Sequence, residues 1–232
     1  MLSADEVRIW VWRCPSMANH TCRDLLSDAE RARAARFVFE HDRIRFISAH
    51  AGLRLVLGTL LDIEASAVTL IDDRHGKPRL AGSRPALFFN LSHSHGVAAV
   101  AVSRSFEVGL DIEMLRPADL SGVVSFFSDG EQAALARLPR TARTSCAFAA
   151  WTRKEAFVKA TGFGLTIPLE SFDVSVDPGE PPRLLRIADA PEEAANWQLV
   201  HFIPADGYVG TVAARALGWR VVLDEAATLT EA

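Results

Sequence analysis

Apolar side chains recur along this chain with two different spacings, which divide it into predicted strands and predicted helices. Residues 7–12 alternate and are rich in β-forming side chains, which predicts a first strand. Residues 96–102 are apolar on both faces, as expected for a central strand. Further short strands are predicted at 87–90, 106–113, 171–176, 197–203 and 208–214.

Other segments have the spacing of three to four residues that is typical of helices. Ser27 followed by Glu30 is a capping-box pattern at the start of one of them. Gly162 marks the end of the longest, because glycine commonly follows the last turn of a helix. Helices are predicted at 27–39, 43–61, 129–138 and 144–161, and a turn at 71–78.

Both halves of the chain thus have predicted helices followed by a hairpin. Residues 96–102 weakly resemble residues 207–213, which indicates a pseudo-duplicated α+β protein. A break at Arg116 and Pro117 suggests the division. We expect an N-terminal lobe at 1–115, a C-terminal lobe at 116–222 and a tail at 223–232.

Net charge, cysteine spacing and the length of apolar runs limit the classes of function that this chain could have. The 232 residues carry a net charge of −4, which gives no support for general nucleic-acid binding. Three cysteines without C-x-x-C spacing favour a reduced, cytoplasmic setting. No signal peptide is expected from the first ten residues, and no run reaches the roughly 18 apolar residues of a membrane span.

Three carboxylates stand inside otherwise apolar segments. In a strand over 106–113, Asp111 and Glu113 share one face, and Gly109 leaves room beside them. In a helix over 144–161, Glu155 lies on the inward stripe of Phe148, Trp151 and Val158. Alone, Asp111 and Glu113 also fit a solvated strand face, and Glu155 fits an ordinary helix pair with Lys159. Together, the three oxygen donors predict a Mg²⁺ site that would be accompanied by phosphate.

Basic and hydroxyl side chains near these segments have more than one interpretation. Lys159 lies four residues after Glu155 and fits an ordinary helix pair equally well. Ser92 and His93 end a predicted strand, where they could bind phosphate, although His93 and His95 could instead bind zinc or be structural. Arg45 and Arg54 are typical of surface charges on a helix.

Several short motifs in a fixed order resemble the 4′-phosphopantetheinyl transferases, in particular their larger, two-lobed (Sfp-like) class. The similarity extends from about residue 45 to residue 176. The motifs are Gly76-Lys77-Pro78, Phe89-Asn90-Leu91-Ser92-His93-Ser94, Gly109-Leu110-Asp111-Ile112-Glu113, Phe126-Phe127-Ser128 with Glu131, and Trp151 followed by Lys154-Glu155-Ala156 and Lys159.

The resemblance implies a two-lobe fold in which each lobe has helices packed on a small, mostly antiparallel sheet. It also implies that Asp111, Glu113 and Glu155 bind Mg²⁺, that Glu155 and Lys159 are catalytic, and that Glu131 lies near the active site. Lys77 and Pro78 correspond to the adenine end of coenzyme A, and Ser92 and His93 to its 3′-phosphate. The implied coenzyme A contacts are Arg45, Lys77, Pro78, Ser92, His93, Asp111, Lys154 and Lys159.

The activity so implied is transfer of the 4′-phosphopantetheine arm from coenzyme A to a serine of an apo acyl or peptidyl carrier protein, with release of 3′,5′-ADP. A cytoplasmic monomer that uses neither nucleic acid nor membrane is expected. Two alternatives use the same residues. One is a Mg²⁺-dependent phosphohydrolase of coenzyme A or nucleotides, and the other is a non-catalytic relative that binds coenzyme A or carriers.

Overall fold

A computed structural model describes residues 2–14, 20–82 and 87–225. The α-helices in this part of the chain are α1 (His20–Asp24), α2 (Asp28–Ala34), α3 (Glu40–Leu61), α4 (Leu120–Val124), α5 (Asp129–Arg137) and α6 (Arg140–Thr161). The strands are β1 (Glu6–Arg13), β2 (Leu70–Asp72), β3 (Pro78–Leu80), β4 (Phe88–Ser94), β5 (Val97–Ser103), β6 (Val108–Met114), β7 (Phe172–Val174), β8 (Leu184–Ile187), β9 (Gln198–Phe202), β10 (Tyr208–Ala214) and β11 (Arg220–Glu225).

The first main sheet has the strand order β11-β1-β5-β4. Its central strand β5 is buried at every residue, which confirms the prediction from its continuous apolar run. Val100 and Val102 face a cluster formed with Leu53 and Leu57 of α3. The alternate residues Val97, Ala99 and Ala101 face the second sheet. The strand therefore needs apolar side chains on both faces.

The second main sheet has the order β6-β10-β9 and is antiparallel throughout. Leu110 and Val212 on one face pack against the first sheet. On the other face, Ala213 joins a cluster with Ala156 and Ala160 of α6. The two sheets thus lie between α3 and α6, which confirms an α+β fold with helices packed on small, mostly antiparallel sheets.

Strand pairing does not follow the predicted division at residue 115. β6 precedes that position but pairs with β10. β11 follows the predicted C-terminal sheet strands but pairs in parallel with β1, with Ile9 opposite Leu223. Residues 223–225 are therefore part of a strand rather than of a tail, because β1 offers them an unpaired backbone edge. The rest of the predicted tail lies outside the described residues.

Several element boundaries differ from the sequence prediction. The helix predicted at 27–39 ends at Ala34, and the chain resumes as α3 after Phe39, whose backbone is extended. β4 continues through Ser94, so Ser92 and His93 lie within the strand rather than at its end. α6 begins directly after Pro139, which is tolerated there because proline lacks only a hydrogen bond that a first turn does not make. β8 and β11 were not predicted.

Helix α3 is the one helix in the described ranges that is long and apolar enough to cross a membrane by length and composition. An 18-residue window of this helix has a mean hydropathy of 1.3, and 67% of that window is buried inside the protein. The core helix of a folded domain meets the same criteria, and α3 packs against the first sheet in this way.

Candidate active site

A cleft of about 310 Å³ opens where β4, β6 and α6 meet. Both catalytic candidates and all three predicted metal ligands line this cleft. The lining residues are Leu91, Ser92, His93, Asp111, Glu113, Trp151, Glu155 and Lys159. Residues separated by up to 68 positions are thus brought together, as a shared site requires.

Gly109 sets the distance between α6 and β6. A Cβ atom at this position would lie 2.0 Å from the carbonyl oxygen of Ala156 and 2.3 Å from the backbone nitrogen of Ala160. Only glycine allows the helix backbone to approach so closely. Because Glu155 and Lys159 are the neighbours of these two alanines, this contact positions both side chains relative to Asp111.

Asp111 is paired at one oxygen and unpaired at the other. Its Oδ1 accepts hydrogen bonds from Lys159 Nζ at 2.6 Å and from Ser92 Oγ at 3.1 Å. Its Oδ2 is buried and has no hydrogen-bond partner in the part of the chain that the structure describes. A buried carboxylate oxygen without a partner is costly, so this atom is suited to a ligand that supplies positive charge.

The other two carboxylates are bound less tightly by the protein. Glu113 accepts a hydrogen bond at Oε2 from Ser94 Oγ at 2.6 Å. Among the described residues, none forms a hydrogen bond or ion pair with the Glu155 carboxylate. Burial and the neighbouring carboxylates raise the pKa of Glu155, and burial followed by Asp111 raises the pKa of Glu113. Each therefore retains an oxygen that can act as a ligand.

These residues fit a hard divalent cation. Oxygen donors are what Mg²⁺ prefers, and the repulsion that raises the pKa values of Glu113 and Glu155 is relieved by a cation. Within the described ranges, no three His, Cys, Asp or Glu side chains already converge as a preformed metal cluster, and this includes His93 and His95. The ligand set Asp111, Glu113 and Glu155 therefore stays a prediction.

His93 lines the same cleft and has basic side chains near it. Burial against its neighbours, followed by repulsion from His50 and Lys159 and then from Arg45 and Arg33, lowers the pKa of His93 to about 4. His93 as a whole residue is nevertheless exposed to solvent. Lys159, Arg45 and Arg33 are the positive charges that contribute to this shift, and they favour an anion such as phosphate near His93.

Comparison with known proteins identifies the family. A family model described as the 4′-phosphopantetheinyl transferase superfamily matches residues 107–213, and one described as 4′-phosphopantetheinyl transferase, N-terminal, matches residues 11–105. The 4′-phosphopantetheinyl transferase HetI of Nostoc sp. is 37% identical over 94% of this chain and 92% of its own length. The chain belongs to the 4′-phosphopantetheinyl transferase superfamily.

A second relative places the chain among the Sfp-like members. The 4′-phosphopantetheinyl transferase Sfp of Bacillus subtilis is 30% identical over 67% of this chain and 69% of its own length. The resemblance read from the motifs is thereby confirmed, as is the two-lobe transferase fold. The chain is an enzyme of the phosphopantetheinyl transferase type.

Lys154 does not contribute to the cleft of this phosphopantetheinyl transferase. Its side chain is fully buried on the far side of α6, where Nζ donates to the carbonyl oxygens of Leu169 at 2.8 Å and Phe172 at 2.7 Å. It also pairs with Glu131 Oε1 at 2.9 Å. Helix rotation turns adjacent residues about 100° apart, so Lys154 points inward while Glu155 faces the cleft. The predicted coenzyme A contact at Lys154 is not supported.

Glu131 is likewise held by structural contacts. Its Oε2 accepts the Ser128 backbone N–H at 2.9 Å in a capping box at the start of α5. Its Oε1 accepts the Val174 N–H at 2.8 Å in addition to the Lys154 ammonium. The side chain is absent from the cleft lining, so its role is to join α5, α6 and β7.

Lys77, Pro78 and Arg45 are not among the residues that line the cleft. The Lys77 ammonium is buried and donates to Glu107 Oε2 at 2.9 Å and to the carbonyl oxygen of Val108 at 3.0 Å. Lys77 therefore attaches the β2–β3 hairpin, which Pro78 continues, to the start of β6. Arg45 pairs with Asp42 at 3.3 Å and acts on the cleft through its charge near His93.

Sequence reasoning missed the contribution of Asn90 and Ser94. Asn90, Ser92 and Ser94 are alternate residues of β4, and all three are buried. Each accepts a backbone N–H of β6, from Leu110 at 2.8 Å, Ile112 at 3.2 Å and Met114 at 3.2 Å, respectively. Polar residues with period two in an apolar strand were the available signal. They join the edges of the two main sheets beneath the cleft.

Proposed function

We propose that this phosphopantetheinyl transferase moves the 4′-phosphopantetheine arm of coenzyme A to a serine of an apo carrier protein in a Mg²⁺-dependent reaction. The observation that carries the proposal is the pairing of opposite charges in one cleft. Asp111, Glu113 and Glu155 line it together with His93 and with Lys159, whose Nζ lies 2.6 Å from Asp111 Oδ1. Coenzyme A presents phosphate groups that require cations, while its pyrophosphate commonly brings a metal that requires carboxylates.

The metal would be held by Asp111 Oδ2, Glu113 and Glu155. When bound, Mg²⁺ would neutralise charge on the pyrophosphate and so make the phosphorus more electrophilic. The protein's own contribution is to hold these carboxylates at fixed positions. The short distance between α6 and β6 at Gly109 supports that role, because it leaves little freedom for Glu155 relative to Asp111.

The transfer itself would exchange one phosphorus–oxygen bond for another. The carrier serine oxygen forms a bond to the phosphorus that carries the pantetheine arm, and the bond to 3′,5′-ADP breaks. Glu155 would accept the serine proton, directly or through a water, since none of the described residues forms a hydrogen bond with its carboxylate. Lys159 would stabilise the departing phosphate by its charge.

The 3′-phosphate would lie beside His93 and within the field of Arg45. After burial, the charges of Lys159, Arg45 and Arg33 contribute to the lowered pKa of His93, and an incoming phosphate would offset these charges. Ser92 is less suited to the predicted phosphate contact, because its hydroxyl already donates to Asp111 and accepts from Ile112. A cytoplasmic monomer acting on acyl or peptidyl carriers, including those of secondary metabolism, completes the proposal.

Incubation of the protein with Mg²⁺, coenzyme A and an apo carrier protein tests the proposal. The carrier should gain the mass of one phosphopantetheine arm, detected by intact-protein mass spectrometry. Glu155→Gln should lose at least about 100-fold in rate, as expected for a general base. The variant should retain its folding stability, because Glu155 makes no hydrogen bond among the described residues.

Glu192→Gln is the matched control, since Glu192 is exposed and remote from the cleft lining. Wild-type turnover in Glu155→Gln would contradict the assigned role. Release of 3′,5′-ADP at the same rate with and without the carrier would favour the phosphohydrolase alternative. Absence of any turnover by the wild-type protein with a panel of carriers would favour a non-catalytic binding protein.

A further inference from the structure

Ser92 and Ser94 of β4 each make two hydrogen bonds to β6, one more than the contact between the two strands requires. Ser94 Oγ accepts the Met114 N–H at 3.2 Å and donates to Glu113 Oε2 at 2.6 Å. Ser92 Oγ accepts the Ile112 N–H at 3.2 Å and donates to Asp111 Oδ1 at 3.1 Å. In both cases the serine hydroxyl accepts a backbone N–H of one β6 residue and donates to the carboxylate of the β6 residue that precedes it.

Asn90 shows what the strand contact looks like without a carboxylate. Its Oδ1 accepts the Leu110 N–H at 2.8 Å, in the same register one step earlier along the two strands. The residue before Leu110 is Gly109, which has no side chain to hold. Joining β4 to β6 therefore requires only an acceptor, and the donation by Ser92 and Ser94 is an additional interaction.

We propose that Ser94 is a positioning residue that orients Glu113 for a divalent cation. The proposal rests on the proposed function, since it concerns the metal of that reaction. A hydroxyl has one proton and two lone pairs. The Met114 N–H occupies the acceptor side of Ser94, and the His95 ring nitrogen Nδ1 is 3.3 Å away. The Glu113 oxygen at 2.6 Å is the nearest target for the proton.

Orientation of Glu113 before the metal binds reduces the cost of binding. A glutamate side chain has three rotatable bonds, and ordering it upon binding would consume part of the interaction free energy. Ser94 fixes Oε2, while Oε1 has no hydrogen-bond partner among the described residues and stays available to a ligand. Ser94 itself is only 6% exposed, so its own rotamer is held by packing. Hydrogen-bonded partners of this kind commonly tune metal sites.

Metal binding can be measured independently of transfer. Mn²⁺ would be titrated into the protein in the presence of coenzyme A and followed by electron paramagnetic resonance, with transfer to an apo carrier measured separately. In Ser94→Ala we expect the Mn²⁺ dissociation constant to rise by about 10–100-fold, as for other partners of metal ligands. The Mg²⁺ concentration for half-maximal transfer should rise by the same factor.

Asn90→Ala is the matched control, because it removes the equivalent contact between the strands but holds no carboxylate. It should lower the urea midpoint as much as Ser94→Ala, yet leave the Mn²⁺ dissociation constant within about twofold of wild type. Equal Mn²⁺ affinities in the two variants would overturn the inference even if the wild type transfers phosphopantetheine. Saturable Mn²⁺ binding that weakens only in Ser94→Ala would support it even if no carrier were modified.

Discussion

Helix α6 carries two lysine–carboxylate pairs five residues apart, and they differ in how completely the protein satisfies them. Lys154 is fully buried, and its ammonium has three oxygen partners, from Glu131, Leu169 and Phe172. Both oxygens of Glu131 also accept backbone N–H groups. Every polar atom of this pair thus has a partner within the protein.

The second pair, between Lys159 and Asp111, is incomplete. The Lys159 side chain is 30% exposed to the cleft, and Asp111 Oδ2 is buried without a partner in the described part of the chain. Both pairs bring a lysine from the same helix within 2.9 Å of a carboxylate. The comparison teaches that unsatisfied hydrogen-bonding capacity, rather than the ion pair itself, distinguishes the candidate site from the structural contact.

Among the substitutions considered, Lys154→Met is expected to destabilise the protein most. Removal of the ammonium leaves Glu131 buried without its cation and deprives two carbonyl oxygens of a donor, so the free energy of unfolding should fall by about 3–5 kcal/mol. Urea unfolding followed by tryptophan fluorescence measures this change.

Lys159→Met is the control on the same helix. It should lower the free energy of unfolding by less than Lys154→Met does, because the Lys159 side chain is 30% exposed whereas Lys154 is fully buried. Transfer activity should nearly disappear. Equal destabilisation by the two substitutions would remove the distinction between the pairs.

A similar effect is expected at a third carboxylate, Glu30, which is half-buried and whose two oxygens both have partners. Burial would raise its pKa, but hydrogen bonds from His50, Ser27 and Arg54 lower that pKa from 4.5 to about 2. Because the folded-state pKa is lower than the unfolded value, the charge stabilises the protein above pH 4.5, and this contribution is lost as the pH falls toward 2.

Wild type should therefore exceed Glu30→Gln by roughly 3 kcal/mol in free energy of unfolding at pH 7, with a smaller difference at pH 3. Urea unfolding at the two pH values measures it. A difference independent of pH would show that Glu30 acts through packing and not through its charge.

Gly109→Ala should destabilise the protein less than Lys154→Met and Glu30→Gln do. It should disturb the Lys159–Asp111 pair and leave the Lys154–Glu131 pair unchanged. The added methyl group would meet the α6 backbone and cost about 1–3 kcal/mol as the helix shifts. Since this contact lies between Asp111 and Lys159, transfer activity should fall by at least about tenfold. Lys154 and Glu131 lie away from it, so replacing Lys154 in this background should cost as much as in wild type. Unchanged activity would mean that the spacing of α6 and β6 is not what positions the site.

Much of the fold could be predicted from local pattern. Strand β10 was predicted at its observed bounds, because alternation and turn residues define it locally. The capping box of Ser27 and Glu30 is present, as its spacing indicated. β11 was not predicted, because it is stabilised by pairing with β1, which is more than 200 positions earlier in the chain. Arg54 was expected to be a surface charge, yet it is 2% exposed, because Glu30 and the carbonyl oxygen of Val68 satisfy its guanidinium.

By itself, the sequence determined the chemistry of the site. The spacing of Asp111 and Glu113, together with the inward stripe of Glu155, placed three carboxylates on faces that meet, and the order of the motifs indicated the family. These properties depend on residue type and on the periods of strand and helix, which are local.

Only the tertiary structure decided which polar groups are free to act. Lys154 and Lys159 are alike in sequence, but they lie about 140° apart around α6. The contact at Gly109 turns Lys159 toward Asp111 and leaves Lys154 inside the second lobe. Lys77, Glu131 and Ser92 likewise have partners from distant segments. Whether a polar atom retains capacity for a ligand depends on such long-range contacts, so no local pattern could have revealed it.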